Sequence, residues 1–248
     1  MRMRKRPNLE PRMEKCRALM ISEPEELKGS WARSFPEYSG IFAELGCGKG
    51  RFTQATAASL PEKLFVAIEK VPDVMVLAME RVKNCGTENV RFIDGDAAKL
   101  TEMFAPGELE RLYINFCDPW PKSRDAKFRL TAPYFLRLYA SVLPEGGQIH
   151  FKTDNTPLFD WSIEQFRAEG WELSELTYDL HENGPVGIMT DYEEKFYLQR
   201  FKINRLVATK AGDTKDISAG PVPRLRNAAL TDAKGFKASR AANEEKTV

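Results

Sequence analysis

The chain has 248 residues, 42% of them apolar, and a net charge of +1. That length suits one good-sized α/β domain with appendages, and no apolar run approaches the ~20 residues of a membrane span. The four cysteines, Cys16, Cys47, Cys85 and Cys117, form no Cys-x-x-Cys pair, and His150 and His181 are the only histidines, which argues against a zinc site or a thioredoxin-like motif.

Free thiols and no bound metal are therefore expected. The basic start, MRMRKRP, is not followed by an apolar stretch, so no signal peptide is expected and the cytosol is the expected compartment. The small net charge hides an asymmetry. Residues 1–17 carry seven Lys/Arg against two Glu, and residues 210–248 carry eight Lys/Arg against five Asp/Glu. The remainder holds 22 basic and 29 acidic residues, so an acidic body bears basic ends. Such an arm suits a polyanionic partner.

Strands and helices alternate from about residue 41. IFAEL (41–45) is an apolar strand ending at a glycine-rich turn, and RFTQATAASL follows with helical character. LFVAIE (64–69) is the second strand, and Pro72 opens a helix at its favoured first turn. VRFI (90–93) and ERLYINF (110–116) are the third and fourth strands. A helix is expected over about 130–143, ended by PEGG. QIHFK (148–152) is the fifth strand, with a helix over 156–169. WELSELTYDL (171–180) and EKFYLQRFKINRLVA (194–208) alternate like two long strands, an antiparallel pair. The expected fold is α/β: a Rossmann-like, mostly parallel seven-stranded sheet with helices on both faces. The expected division is a basic arm (1–34), a catalytic domain (35–209) and a disordered tail (210–248), the tail being poor in large apolar residues.

Ligands of such sheets bind outside the carboxyl ends of the strands, and here each unusual loop follows a strand. ELGCGKG (44–50) spaces its glycines as G-x-G-x-G, unlike the G-x-G-x-x-G of dinucleotide folds. Glu44, two residues before Gly46, would repel phosphate but could hold an ammonium group or a bound water. A ligand without phosphate and with a cationic amino-acid end is expected at Gly46 and Gly48, and S-adenosylmethionine fits. Glu69 closes the second strand, where an acid can accept from ribose hydroxyls. Asp96 could meet the adenine amino group, with Asp94 its rival by proximity.

The run NFCDPWPKSR (115–124) is the most unusual stretch. Pro119 and Pro121 fix two φ angles and remove two N–H donors. They hold Asp118 and Trp120 in one shape, as a preorganised site needs. Trp120 either stacks on a base or packs as a wall under the loop. Lys122, Arg124, Lys127 and Arg129 could seat phosphates beside the pocket. Amino-group methylases carry Asp/Asn-Pro-Pro-aromatic at this place; Asp-Pro-Trp-Pro departs from that and favours a different nucleophile.

With FAELGCGKG upstream and FKTDN (151–155) and MTDYEEKF (189–196) downstream, the run resembles the bacterial tRNA (guanine-N7)-methyltransferase family. The resemblance covers the chain from MRMR to about Ala208. It implies a class I methyltransferase using S-adenosylmethionine and making 7-methylguanosine in the variable loop of tRNA. It implies Glu44, Glu69, Asp96 and Asp118 around the methyl donor. It places Lys122, Asp154, Thr190, Asp191, Tyr192 and Glu193 around the substrate, and Arg124, Lys127 and Arg129 on RNA. Asp154 or Glu193 could accept guanine's N1–H and N2–H together, with Asp154 favoured. Asp118 is expected to act by orientation and electrostatics. A monomer or a homodimer is expected. The chain departs from the family pattern at Asp125, which stands for His, at Phe128, which stands for Arg, and near Arg200, where a glycine is missing. The alternatives are methylation of another acceptor, an exocyclic base amine or a small molecule, or RNA binding without catalysis.

Overall fold

The computed structural model describes residues 8–219. Seven strands form one sheet: β1 (Ile41–Leu45), β2 (Leu64–Glu69), β3 (Val90–Asp94), β4 (Arg111–Asn115), β5 (Gln148–Thr153), β6 (Trp171–Thr177) and β7 (Asn204–Lys210). Their order is β3-β2-β1-β4-β5-β7-β6. The first five run parallel, and β7 enters antiparallel between β5 and β6. Strand order reverses between β1 and β4, so the crevice lies beyond their carboxyl ends. The helices are α1 (Leu9–Lys15), α2 (Trp31–Ser34), α3 (Arg51–Ser59), α4 (Pro72–Cys85), α5 (Leu100–Met103), α6 (Pro133–Val142), α7 (Thr156–Ala168) and α8 (Asp191–Leu198).

The central strands are apolar runs because both faces are covered. Every residue of β1 is buried, including Glu44. One core cluster joins Leu45, Ile68, Ile114 and Phe151 to α6 and α7. The other packs Phe42, Phe65 and Tyr113 against α3 and α4. The N-terminal segment is attached to this body. Trp31 is fully buried, stacked on Phe104 at 4.9 Å. Arg12 pairs with Glu80 of α4 at 2.6 Å, and Ile21 N–H donates to Phe92 of the edge strand β3.

Local chemistry sets the helix ends. Pro72 opens α4, and Gly86 at φ 66° closes it in the left-handed region. Asn155 caps α7 by accepting from Leu158 N–H at 2.8 Å. Gly50, at φ 73°, has a second constraint, since a Cβ there would lie 2.5 Å from Ala78 Cβ of α4. Gly50→Ala should therefore cost about 2–4 kcal/mol, from left-handed backbone and overpacking together. Gly86→Ala, where a Cβ meets nothing within 4 Å, should cost only the backbone part, about 1–2 kcal/mol. Urea unfolding of the two variants checks this, and equal losses would remove the packing argument.

Four sequence expectations change. Residues 194–203 are not strand. The Thr190-x-x-Glu193 capping box opens α8 instead, and β7 begins only at Asn204. β6 stops at Thr177 after a register shift, with Glu175 at φ 49°. The helix expected from residue 130 starts at Pro133, behind a 3₁₀ turn, Ser123–Phe128. The expected tail begins with a bonded segment. Lys210 ends β7, its ammonium capping α6 at Ala140 and Leu143 carbonyls. Lys215 N–H then donates to Glu169. Residues 1–7 and 220–248, the basic start and most of that tail, lie outside the described residues.

Candidate active site

The glycine turn after β1 is open above its backbone. Gly46 and Gly48 take φ 76° and 56°, and a Cβ on either would meet nothing within 4 Å, so a ligand can approach the main chain closely. Glu69 stabilises this turn from the end of β2. Its Oε2 accepts from Gly48 N–H at 3.1 Å, and its Oε1 from Lys70 and Val71 N–H at 3.0 and 3.1 Å. Burial raises its pKa, and the three backbone donors oppose the rise. Asp96 accepts from Ala98 N–H at 3.0 Å and lies 3.8 Å from Lys70 Nζ. Asp94 is exposed and sits beside Glu69 in register.

Glu44, in β1 just before the turn, is buried at 1% exposure. Its Oε2 accepts from Thr53 Oγ1 at 2.6 Å and its Oε1 from Asn115 Nδ2 at 2.9 Å. Burial pushes its pKa up to about 7, against the pull of those two donors. The folded chain thus keeps a proton that the unfolded chain releases. That contribution to stability is complete below the unfolded pKa and is lost as pH rises to about 7. Relative to Glu44→Gln, the parent should lose up to about 1.4 kcal/mol per pH unit between about pH 5 and 7. Urea unfolding of both proteins at stepped pH checks this; parallel pH profiles would contradict it.

The proline-rich loop leaves β4 with two unusual backbone residues, Phe116 at φ 54° and Trp120 at φ 43°. Such strain persists only where surroundings enforce it. Asp118 is exposed between them. Trp120 is half-buried and packs on Phe128, ring centres 5.3 Å apart. The packing alternative thus describes Trp120 in this structure, with Phe128, one of the departures, as its neighbour. Lys122, Arg124 and Lys127 are exposed. Arg124 lies 3.9 Å from Asp125, and the Lys127 ammonium lies 5.2 Å from the Phe128 ring centre. Arg129 is different. Its guanidinium donates to the carbonyls of Pro119 and Trp120, both at 3.0 Å.

Asp154 follows β5, and Tyr192 donates to it at 3.4 Å. Asn155 does the capping of α7, so Asp154 is spared that task. Burial raises the Asp154 pKa. The Tyr192 ring packs on Phe116 at 5.2 Å, which joins α8 to the proline-rich loop. Three other residues expected at the substrate, Thr190, Asp191 and Glu193, have partners within the chain. Thr190 Oγ1 accepts from Glu193 N–H at 2.9 Å. Asp191 pairs with Arg81 of α4 at 3.2 Å. Glu193 is fully buried, 2.5 Å from Lys152 Nζ and 3.1 Å from His181 Nε2. His181 Nδ1 accepts from Val186 N–H, which assigns the ring proton to Nε2, donated to Glu193. Glu193 therefore anchors α8, and of the two residues considered for guanine Glu193 is fully buried while Asp154 is half-buried.

Sequence reasoning missed Lys152, Asn115, Thr53, His181 and Arg51, which pairs with Glu194. Lys152 carried a signal only as a cation within a predicted central strand, since lysine is rarely buried without a partner. Burial lowers its pKa and Glu193 opposes that fall.

A family profile described as "Putative methyltransferase" matches residues 39–206. A Streptococcus suis protein named tRNA (guanine-N(7)-)-methyltransferase is 46% identical over 178 residues, covering 71% of this chain and 84% of its own length. A Listeria monocytogenes protein of the same name is 41% identical over 209 residues, covering 84% and 98%. The chain belongs to the tRNA (guanine-N7-)-methyltransferase family. Its fold is the class I methyltransferase fold of the 16S rRNA methyltransferase KamB, at TM-score 0.57, 18% identity, and coverage of 74% of this chain and 93% of that one. A 16S rRNA (adenine(1408)-N(1))-methyltransferase from Catenulisporales acidiphilia superposes at TM-score 0.54 and 13% identity, covering 77% and 94%. In this family member Glu69 ends β2, and the glycine turn, Asp96, Asp118 and Asp154 follow the ends of β1, β3, β4 and β5, all on one edge of the sheet. Among the described residues no helix is long and apolar enough to cross a membrane, and no cluster of three metal-ligating side chains occurs.

Proposed function

We propose that the protein transfers a methyl group from S-adenosylmethionine to N7 of a guanine in the variable loop of tRNA. The observation that carries this is an exposed carboxylate, Asp118, on a braced loop beside the open glycine turn, in a chain 41–46% identical to enzymes of that name. The residues fit the donor. Gly46 and Gly48 leave space over the turn, Glu69 has accepting capacity for ribose hydroxyls, and we assign Asp96 to the adenine amino group. Glu44 supports the floor through Thr53 and Asn115. When bound, the donor supplies an electrophilic methyl group on a sulfonium.

Guanine N7 has a lone pair and no proton to lose, so the chain's task is alignment more than base catalysis. Positive charge grows in the purine as the methyl moves, and Asp118 stabilises it electrostatically. Asp154 accepts from N1–H and N2–H, donors that adenine does not present together. Lys122, Arg124 and Lys127 hold the backbone, with the base turned out of the stack. We place the enzyme in the cytosol with its tRNA. We adopt residues 35–209 as the methyltransferase unit, supported by the matched stretch 39–206 and by the end of β7 at Lys210.

Labelled S-adenosylmethionine with unmodified tRNA, followed by nucleoside analysis, tests the reading. Labelled 7-methylguanosine is expected. Label in another nucleoside would contradict the acceptor, and no label with tRNA bound would favour binding without catalysis.

A further inference from the structure

The loop 118–121 has a hydrogen-bonding problem. Two of its four residues are prolines and offer no N–H, while its backbone is turned into the left-handed region at Trp120, φ 43°. The carbonyls of Pro119 and Trp120 must find donors elsewhere. Arg129 supplies both. Nε donates to Pro119 O and Nη2 to Trp120 O, each at 3.0 Å. The same guanidinium lies 4.4 Å from the ring centre of Trp161 in α7, a cation–π contact. Arg129 is half-buried, unlike Arg124 and Lys127, which are exposed.

From this arrangement we infer that Arg129 is a positioning residue for Asp118 and not a phosphate contact. The inference rests on the methyl-transfer reading above. Two carbonyls held by one planar fork fix the peptide plane on either side of Trp120, and with it the path of the chain at Asp118. Stacking on Trp161 ties that fork to α7, the helix that begins two residues after Asp154. Arg129 therefore links the loop that carries Asp118 to α7, through Trp161. A lysine could keep the charge but not the paired donation, because its ammonium is a point charge on a flexible stem.

Arg129→Lys separates the roles. As a brace, its loss lowers single-turnover methyl transfer by about 10- to 100-fold, because a small misplacement of a catalytic group is costly. The Kd for S-adenosylmethionine, the Kd for tRNA and the slope of log Kd against log salt stay as in the parent. As a phosphate contact, Arg129→Lys would keep a near-parental rate and Arg129→Gln would reduce the salt slope by about 1. That pattern overturns the inference. A double-mutant cycle adds a readout that general loosening would not give. In an Asp118→Asn background, Arg129→Lys should cause little further loss, whereas full additivity would overturn the inference. Should Arg129→Lys fail to bind donor, Trp161→Leu serves instead. It withdraws the ring without touching the two hydrogen bonds, and should lower the rate less with the same unchanged salt slope; a changed slope overturns. A parent protein that makes no 7-methylguanosine would sink the reaction itself. An active parent whose Arg129 variants change only RNA affinity would sink this inference alone.

Discussion

Asp118→Asn should lower single-turnover methyl transfer to tRNA by about 10²–10³, while donor and tRNA affinities stay within about twofold. The substitution is nearly isosteric, so the loop between Pro119 and Pro121 and its brace from Arg129 remain. What disappears is one negative charge beside a purine that becomes cationic in the transition state. Removing one preorganised electrostatic group of this kind typically costs about 3–4 kcal/mol of barrier. The affinities should hold because the charge it stabilises is absent from the ground state. Rapid-quench assays at saturating tRNA measure the step directly. Full activity in Asp118→Asn would remove the carboxylate from the mechanism. A rate that recovers as pH rises would instead indicate a proton acceptor, which N7 methylation does not need.

The second large effect concerns stability. Lys152→Met should destabilise the fold by about 3–5 kcal/mol, the usual cost of leaving one member of a buried ion pair. Glu193 is fully buried, and Lys152 at 2.5 Å is its charged partner from β5. Without that ammonium, the carboxylate retains only His181 and the Thr190 N–H. Lys152→Met/Glu193→Gln should recover most of the loss, because glutamine can still close the capping box and brings no charge. Urea unfolding of the three proteins measures both steps. The single variant should also lose activity, since Glu193 holds down the helix that carries Tyr192 to Asp154 and Phe116. A Lys152→Met protein as stable as its parent would show that the pair is not the anchor of α8.

The legible and illegible parts of this chain divide by the range of the interactions. β1, β2 and β4 stand out as short apolar runs because parallel strands covered on both faces need no polar alternation. The strand-end acids were legible for the same reason, since each interrupts such a run where the sheet meets solvent. The helix over 191–198 was missed because Phe196 and Leu198 alternate with polar residues as a strand would. The Thr190-x-x-Glu193 signature that overrides this was present in the sequence. The roles of Glu193 and Arg129 were not legible at all. Glu193 meets Lys152 across 41 residues and His181 across 12, and Arg129 meets carbonyls, which have no side-chain signature. Spacing within a motif says that cations gather after the second proline. Only the folded chain distinguishes Lys122, Arg124 and Lys127, which face outward, from Arg129, which is turned onto the loop.

The most direct test of N7 as the nucleophile changes one atom of the substrate. A tRNA carrying 7-deazaguanine at the target position of the variable loop has C–H in place of N7 and keeps the Watson–Crick edge that Asp154 is proposed to read. The protein should bind this tRNA like the guanine form and transfer no methyl to it. Methylation of the 7-deaza tRNA at a parental rate would show that the acceptor is another atom, and the account of Asp118 and of guanine recognition would fall with it.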